Sequence, residues 1–323
     1  MRLLAIDIGG TNSRFADCHV FDSNDQSNTD FEIKQSFNID TAQPYIESFQ
    51  DVIEQYNANK ADSFLDFLNY DRIAIAVAGP VFGRQCSPPN ISWDIDLDNI
   101  PALPNAVLLN DFVAQAYAFI QKEEIDKLVP IRKPEKPVKG NSAVIGAGTG
   151  LGHCLISPID IEQNKYQVIA SEAGQSGFTF NQDEHEIAAF FQKKTGQNFI
   201  INDSVVSGSG LSLIHEYLTG QQITAEGIFS DSDKNKQTLV WFSRFYGRAC
   251  RNYCLSNCVT DKLIISGGLA AKHPELVNSE CFFDEFENMD SHKYLLKNIS
   301  IYLNNNENIG LLGACYYILN TDK

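Results

Sequence analysis

Positive charge is scarce in this 323-residue chain: 25 lysines and arginines stand against 41 aspartates and glutamates, a formal net charge of −16. No basic cluster offsets that excess, so nucleic acid and anionic membrane surfaces are excluded as partners. Any polyanion must be met locally, by backbone dipoles and a metal ion. Long apolar runs are missing too: no window approaches the roughly 20 residues of a membrane span, and residues 3–6 are too short for a signal-peptide core, so a cytoplasmic location is expected. The six histidines are scattered, with no His-x-x-His or Glu-x-x-His pair, which counts against metal-dependent hydrolysis. There is no Gly-Lys pair, hence no Walker A loop, and Gly208-Ser209-Gly210 lacks the spacing of a nucleophile elbow. Eight cysteines are too few for a disulfide scaffold and fit reduced thiols. Cys250, Cys254 and Cys258 recur every four residues, as small apolar residues on a buried helix do; metal motifs use closer spacing and bring histidine.

What is present is a hydrophobic fraction of 43% with 11% aromatics, enough for two lobes with full cores. Strands are expected at residues 3–6, 14–20 and 31–39, a meander, followed by a helix at 43–59 with Tyr45, Ile46, Phe49, Val52, Ile53 and Tyr56 on one face and Asp40 or Thr41 as its cap. Strands at 72–78 and 106–109 and a helix at 112–119 complete the first half. A proline-rich charged segment, 130–140, leads to strands at 142–145, 155–156 and 166–170. Helices at 184–194, 208–219 and 238–258, strands at 262–265 and 299–303, and a terminal helix at 308–319 follow. The strand-and-glycine openings Leu4-Ala5-Ile6-Asp7-Ile8-Gly9-Gly10-Thr11 and Ala143-Val144-Ile145-Gly146-Ala147-Gly148-Thr149 resemble each other, which suggests two related lobes.

Chemistry concentrates where apolar strands end. Asn110-Asp111 joins a strand to a helix, where a fixed carboxylate can take a proton from a bound hydroxyl. Three glycine turns let backbone N–H groups approach a phosphate without a side chain in the way. In the first, Asp7 precedes Gly9 and Gly10; read functionally, Gly10, Thr11 and Asn12 donate to phosphates while Asp7 holds Mg2+ through water, and read structurally it is an ordinary hairpin with a capping aspartate. The second, residues 146–152, fits no register of the dinucleotide fingerprint and leaves a phosphate hairpin with Thr149 as donor, or a flexible glycine loop. The third, Ser266-Gly267-Gly268, suits a nucleoside lying on the backbone or a tight strand-to-helix connection. Glu172 and Gln175 offer the acceptor and donor that vicinal hydroxyls need, or belong to a solvated loop.

In this order the pieces resemble the bacterial glucokinase family of the hexokinase and actin-like ATPase superfamily, over nearly the whole chain. Residues 7–14 look like its first phosphate motif, Leu109-Asn110-Asp111-Phe112 like its catalytic segment and residues 146–152 like its second phosphate motif. Val206-Ser207-Gly208-Ser209-Gly210-Leu211 is similar to a segment beside the sugar, Gly267-Gly268 to the adenosine motif and Ile309-Gly310-Leu311-Leu312-Gly313-Ala314 to the start of the C-terminal helix. The resemblance implies an α/β fold of two RNase H-like (actin-like ATPase) lobes with an active-site cleft between them. The small lobe would be residues 1–110 joined by helix 305–323, and the large lobe 111–304. It implies phosphorylation of glucose at the 6-hydroxyl with Asp111 as general base. Asn90, Asn110, Asp111, Glu172, Gln175 and Asp203 would bind the sugar. ATP would be held by Asp7, Gly9, Gly10, Thr11, Asn12, Gly148, Thr149, Gly267 and Gly268, with Mg2+ on Asp7, in a homodimer.

Two departures stand out. The family's Glu-Gly-Gly-His is Glu172-Ala173-Gly174-Gln175 here, an amide in place of an imidazole, and a second sugar-binding glutamate is Asp203, about one methylene shorter. Both point to weakened affinity or altered sugar preference before loss of chemistry, and keep open a kinase for mannose, an N-acylhexosamine or another polyol. A non-enzymatic sugar sensor is disfavoured by the lack of a helix-turn-helix segment and by the acidic charge. A filament or chaperone ATPase has no reason to keep a polyol cradle.

Overall fold

In β1 (Arg2–Ile8), Leu3, Leu4, Ala5 and Ile6 are fully buried, because this strand is central in its sheet and covered on both faces. The computed structural model describes residues 1–22, 29–58, 70–101 and 103–321. Contacts divide the chain into two units, Met1–Ile125 with Asn306–Lys323, and Asp126–Asn305. In the first, β2 (Asn12–Asp22) and β3 (Thr29–Asp40) form an antiparallel meander with β1. After α1 (Phe49–Ala58), β4 (Arg72–Val77) pairs parallel to β1. A small three-stranded sheet, β5 (Val81–Phe82), β6 (Gln85–Cys86) and β7 (Ile95–Asp96), precedes β8 (Ala106–Asn110), which closes the sheet order β3-β2-β1-β4-β8. The helices α2 (Asp111–Phe119) and α3 (Lys122–Ile125) end this stretch. Leu4, Ile6 and Ile8 pack with Phe49, Val52, Ile53 and Tyr56 of α1.

The second unit repeats the pattern. After β9 (Val129–Arg132), the strands β10 (Asn141–Ala147), β11 (Leu151–Asp160) and β12 (Lys165–Ser171) form an antiparallel meander. Five helices follow: α4 (His185–Thr195), α5 (Asn202–Val205), α6 (Gly208–Thr219), α7 (Ala225–Phe229) and α8 (Lys236–Ser256). Then come β13 (Val259–Ser266), α9 (Gly268–Lys272), α10 (Glu280–Phe286), α11 (Lys293–Lys297) and β14 (Ser300–Asn304). The sheet order is β12-β11-β10-β13-β14-β9, with β10, β13 and β14 parallel and β9 antiparallel at the edge. Phe242, Phe245, Tyr246, Ala249, Cys250, Tyr253 and Cys254 of α8 share one core with Ala143, Ile145 and Ala147 of β10. Inside it, Arg248 is fully buried and donates to Glu184 at 2.9 Å and Glu285 at 2.8 Å, so the charge is paired at both ends.

The chain then returns to the first unit as α12 (Ile309–Thr321), whose Leu311, Ala314, Cys315 and Ile318 cover Leu3 and Ala5 on the face opposite α1. The first unit runs past residue 110, where the sequence put the lobe boundary, because α2 packs on α12: Gly313 lies so close that a Cβ there would sit 1.7 Å from the Ala114 carbonyl oxygen.

Other expectations need correction. The helix expected at 43–59 begins only at Phe49. Pro44 lies in the turns before it, Ser48 Oγ accepts from the Asp51 amide at 3.2 Å, and the Asp51 carboxylate accepts from Ser48 Oγ at 2.8 Å and from the Glu47 amide at 2.9 Å. Asp40 and Thr41 therefore do not cap it, Tyr45 is exposed, and Asn59 lies outside the described residues. The segment 130–140 is partly strand, since an edge position tolerates Pro130. Cys258 lies past the end of α8 and is exposed, so it does not share the buried face of Cys250 and Cys254.

Candidate active site

Parallel pairing lines up three strand ends in the first unit: Ile8 of β1 sits opposite Val77 of β4, and Val77 opposite Asn110 of β8. Beyond the carboxyl ends of such strands, ligands find loop backbone and helix starts. Asn110 ends β8 and caps α2. Its Oδ1 accepts from the amides of Phe112 at 2.9 Å and Val113 at 3.2 Å, and its Nδ2 donates to the Gly79 carbonyl at 3.1 Å. Its oxygen is thus spent on the helix, leaving one N–H for another acceptor. Asp111 follows as the first residue of α2, where helix amides stabilise an anion, and its Oδ1 lies 2.9 Å from the Phe112 amide.

Gly79, at φ 106°, takes a conformation that favours glycine, and a Cβ there would come within 2.8 Å of Pro89. The next residue, Asn90, lies against the first glycine turn: a Cβ on Gly10 would sit 2.8 Å from the Asn90 carbonyl oxygen. The turn is closed by Gly9 donating to the Asn12 carbonyl at 3.0 Å, and Asn12 Oδ1 accepts from Asn38 at 3.3 Å. Thr11 and Gly10 are exposed. Asp7, Gly9, Gly10, Thr11, Asn12, Asn90, Asn110 and Asp111 therefore gather at one end of one sheet.

The Asp7 carboxylate is mostly buried, 3.7 Å from Arg14, and is pushed up to about 6 by burial, against the opposing pull of the Arg14 charge. Gly310 of α12 admits it: a Cβ there would lie 3.1 Å from Asp7 Oδ2. A largely desolvated carboxylate beside the exposed glycine turn fits a hydrated Mg2+, which keeps several waters and takes one or two carboxylates.

In the second unit Leu151, the first residue of β11, is the hub. Its amide donates to Asp203 Oδ1 at 2.6 Å, and a Cβ on Gly174 would meet its carbonyl oxygen at 2.2 Å. Asn202, next to Asp203, donates through Nδ2 to the Ala173 carbonyl at 3.0 Å and to Ser176 Oγ at 2.9 Å, which fixes the turn that carries Glu172 and Gln175. Both carboxyls are raised: Asp203 by burial, opposed by the Leu151 amide, and Glu172 by partial burial and then by the Asp203 charge. Glu172 and Gln175 are at the surface.

The Gly148 amide donates to the Gly150 carbonyl at 2.8 Å, and the Gly148 carbonyl accepts from Gly208 at 2.9 Å, so the second glycine turn rests on the start of α6. That start is capped by Ser207, whose Oγ accepts from the Gly210 amide at 3.2 Å. Thr149, at the tip, is exposed. Gly267 packs on β10, since a Cβ there would meet the Ala147 carbonyl oxygen at 2.6 Å. This brings Gly267 and Gly268 beside the Gly148 turn, as Ile145 pairs with Ile265 in register.

Sequence reasoning assigns no role to Arg14, although it lies in the first phosphate motif, or to Gly310 as the neighbour of Asp7. Arg14 was within reach, because an antiparallel hairpin places it opposite Asp7. The Gly310 approach joins residues too distant in the chain for any local signal.

A family profile described as Glucokinase matches residues 4–321. A glucokinase of Nostoc punctiforme is 28% identical over 283 residues, covering 76% of this chain and 81% of its own. Among solved structures, a glucokinase from an Antarctic psychrotroph superposes with a TM-score of 0.77 at 22% identity, covering 99% of both chains. A glucokinase from Balamuthia mandrillaris in complex with glucose gives 0.78 at 18% identity, covering 98% of this chain and 93% of that one.

Proposed function

The chain belongs to the glucokinase family, within the actin-like ATPase fold of two lobes, and from that premise we propose that it transfers the γ-phosphoryl group of ATP to the 6-hydroxyl of glucose. The observation that carries this reading is Asp111 at the carboxyl end of β8, aligned through Val77 with the glycine turn that follows Asp7. Asp111 accepts the hydroxyl proton as the oxygen attacks phosphorus, assistance worth on the order of 100- to 10,000-fold. Asn110 holds that segment in place and keeps one N–H for a sugar oxygen. Asn90, Glu172, Gln175 and Asp203 bind the remaining hydroxyls.

Phosphoryl transfer needs mainly positioning and neutralisation of charge. Gly9, Gly10, Thr11 and Asn12 in one unit, and Gly148, Thr149, Gly267 and Gly268 in the other, offer backbone and hydroxyl donors to the nucleotide. When bound, Mg2+ offsets phosphate charge, and Asp7 is the residue that would hold it through water. A cytoplasmic homodimer completes the proposal.

A second reading, a kinase for an N-acylhexosamine or another hexose, is favoured by Gln175 and by Asp203, whose Oδ1 already holds the Leu151 amide. An ADP-release assay with glucose, mannose, galactose and N-acetylated hexosamines separates the two. Glucose is expected to give the highest kcat/KM; a higher value for an N-acetylated sugar moves the assignment to the second reading, and no stimulation by any sugar contradicts both.

A further inference from the structure

Asp203 sits where two functions meet. Its Oδ1 accepts from the Leu151 amide at 2.6 Å, at the foot of the Gly148-Thr149-Gly150 turn. It also fills the space over that turn: a Cβ on Gly150 would lie 2.4 Å from Oδ1 and 3.2 Å from Cγ. On its other side the Glu172–Gln175 turn leans on the same point, with Gly174 against the Leu151 carbonyl and 3.7 Å from Oδ1 by its own missing Cβ. Asn202, the preceding residue of α5, ties that turn down through Ala173 and Ser176. One side chain therefore braces both the hairpin that offers amides to a phosphate and the turn that offers a carboxylate to a sugar. A glutamate would place its oxygens about one methylene further out, past the Leu151 amide.

We propose that Asp203 is a positioning residue for the nucleotide: through the Leu151 amide and its packing on Gly150 it sets the phosphate hairpin, so its main kinetic effect falls on ATP and only secondarily on the sugar. This rests on the phosphotransferase reading above. A hydrogen bond from an amide to a carboxylate is among the stronger kinds, and losing it leaves the hairpin foot without its acceptor.

The test is a set of KM values for ATP and for glucose, with nucleotide affinity measured separately by a fluorescent ATP analogue without sugar. Asp203→Ala is expected to raise the KM for ATP and the nucleotide Kd by about tenfold or more, with a smaller change in the KM for glucose. Asp203→Asn keeps an oxygen acceptor and should recover most of the loss. Gly150→Ala drives a methyl into Oδ1 and should raise the same two constants in the parent protein. In Asp203→Ala the clash partner is gone, so Gly150→Ala should add less than about twofold there, a non-additivity expected only if the two act through one contact.

An Asp203→Ala protein with a raised KM for glucose and unchanged ATP constants overturns the proposal, as do Gly150→Ala and Asp203→Ala effects that multiply. If Asp203→Ala does not fold, the nucleotide Kd of Asp203→Asn and Gly150→Ala decides: Gly150→Ala weakened and Asp203→Asn near the parent supports the brace, and Gly150→Ala unchanged removes it. A parent protein that binds nucleotide but turns over no sugar defeats the kinase reading while leaving these binding outcomes readable.

Discussion

Burial of Asp7 makes stability depend on pH. Burial raises its carboxyl from 3.8 to about 6, so the folded protein holds a proton that the unfolded chain has released between those values. Stability therefore falls as pH rises through that window, and above it the full cost of a desolvated charge is present. Asp7→Asn removes that cost, and thermal melting should show it more stable than the parent at pH 8 by on the order of 1–3 kcal/mol. The advantage should shrink through pH 6 and vanish near pH 4. A melting difference that stays constant from pH 4 to 8 contradicts this. Activity should move the other way, because the residue proposed to hold Mg2+ is lost while the fold gains. Glycines of the turns were legible in the sequence because each close approach forbids a Cβ: Gly10 at Asn90 in the first unit and Gly267 at Ala147 in the second are sites where only glycine leaves the neighbour undisturbed. The partners of Asp203 were not legible, since nothing local to α5 announces that its carboxylate meets the start of β11.

At the scale of elements, strands and long helices were readable because burial repeats with a fixed period. α1 was misread at its start for a physical reason: Tyr45 and Ile46 extend the helical spacing, but the reciprocal Ser48–Asp51 cap stops the helix at Phe49. The short β5, β6 and β7 and the helices α9, α10 and α11 lack enough residues to display a period. Contact between α2 and α12 carries a prediction of its own. Gly313→Ala would force a Cβ to 1.7 Å from the Ala114 carbonyl, so the helices must separate. A loss of about 1–3 kcal/mol is expected, read as a lower melting temperature. A fall in kcat should accompany it, because α2 carries Asp111. An unchanged melting temperature would contradict the packing described.

For the whole molecule, the repeat seen in two glycine-turn openings proved to be a repeat of sheets: an antiparallel meander followed by parallel strands occurs in both units. With an acidic net charge, the proposed phosphate recognition falls to backbone amides of the glycine turns at the strand ends. In the proposed reading, hexose phosphorylation by this chain depends on one carboxylate at the start of α2. Steady-state turnover of Asp111→Asn with glucose and ATP tests that most directly, with its melting curve and nucleotide affinity measured on the same sample. We predict a kcat lowered by about 100-fold or more, with melting and ATP binding close to the parent. Turnover equal to the parent in a folded Asp111→Asn protein would contradict it.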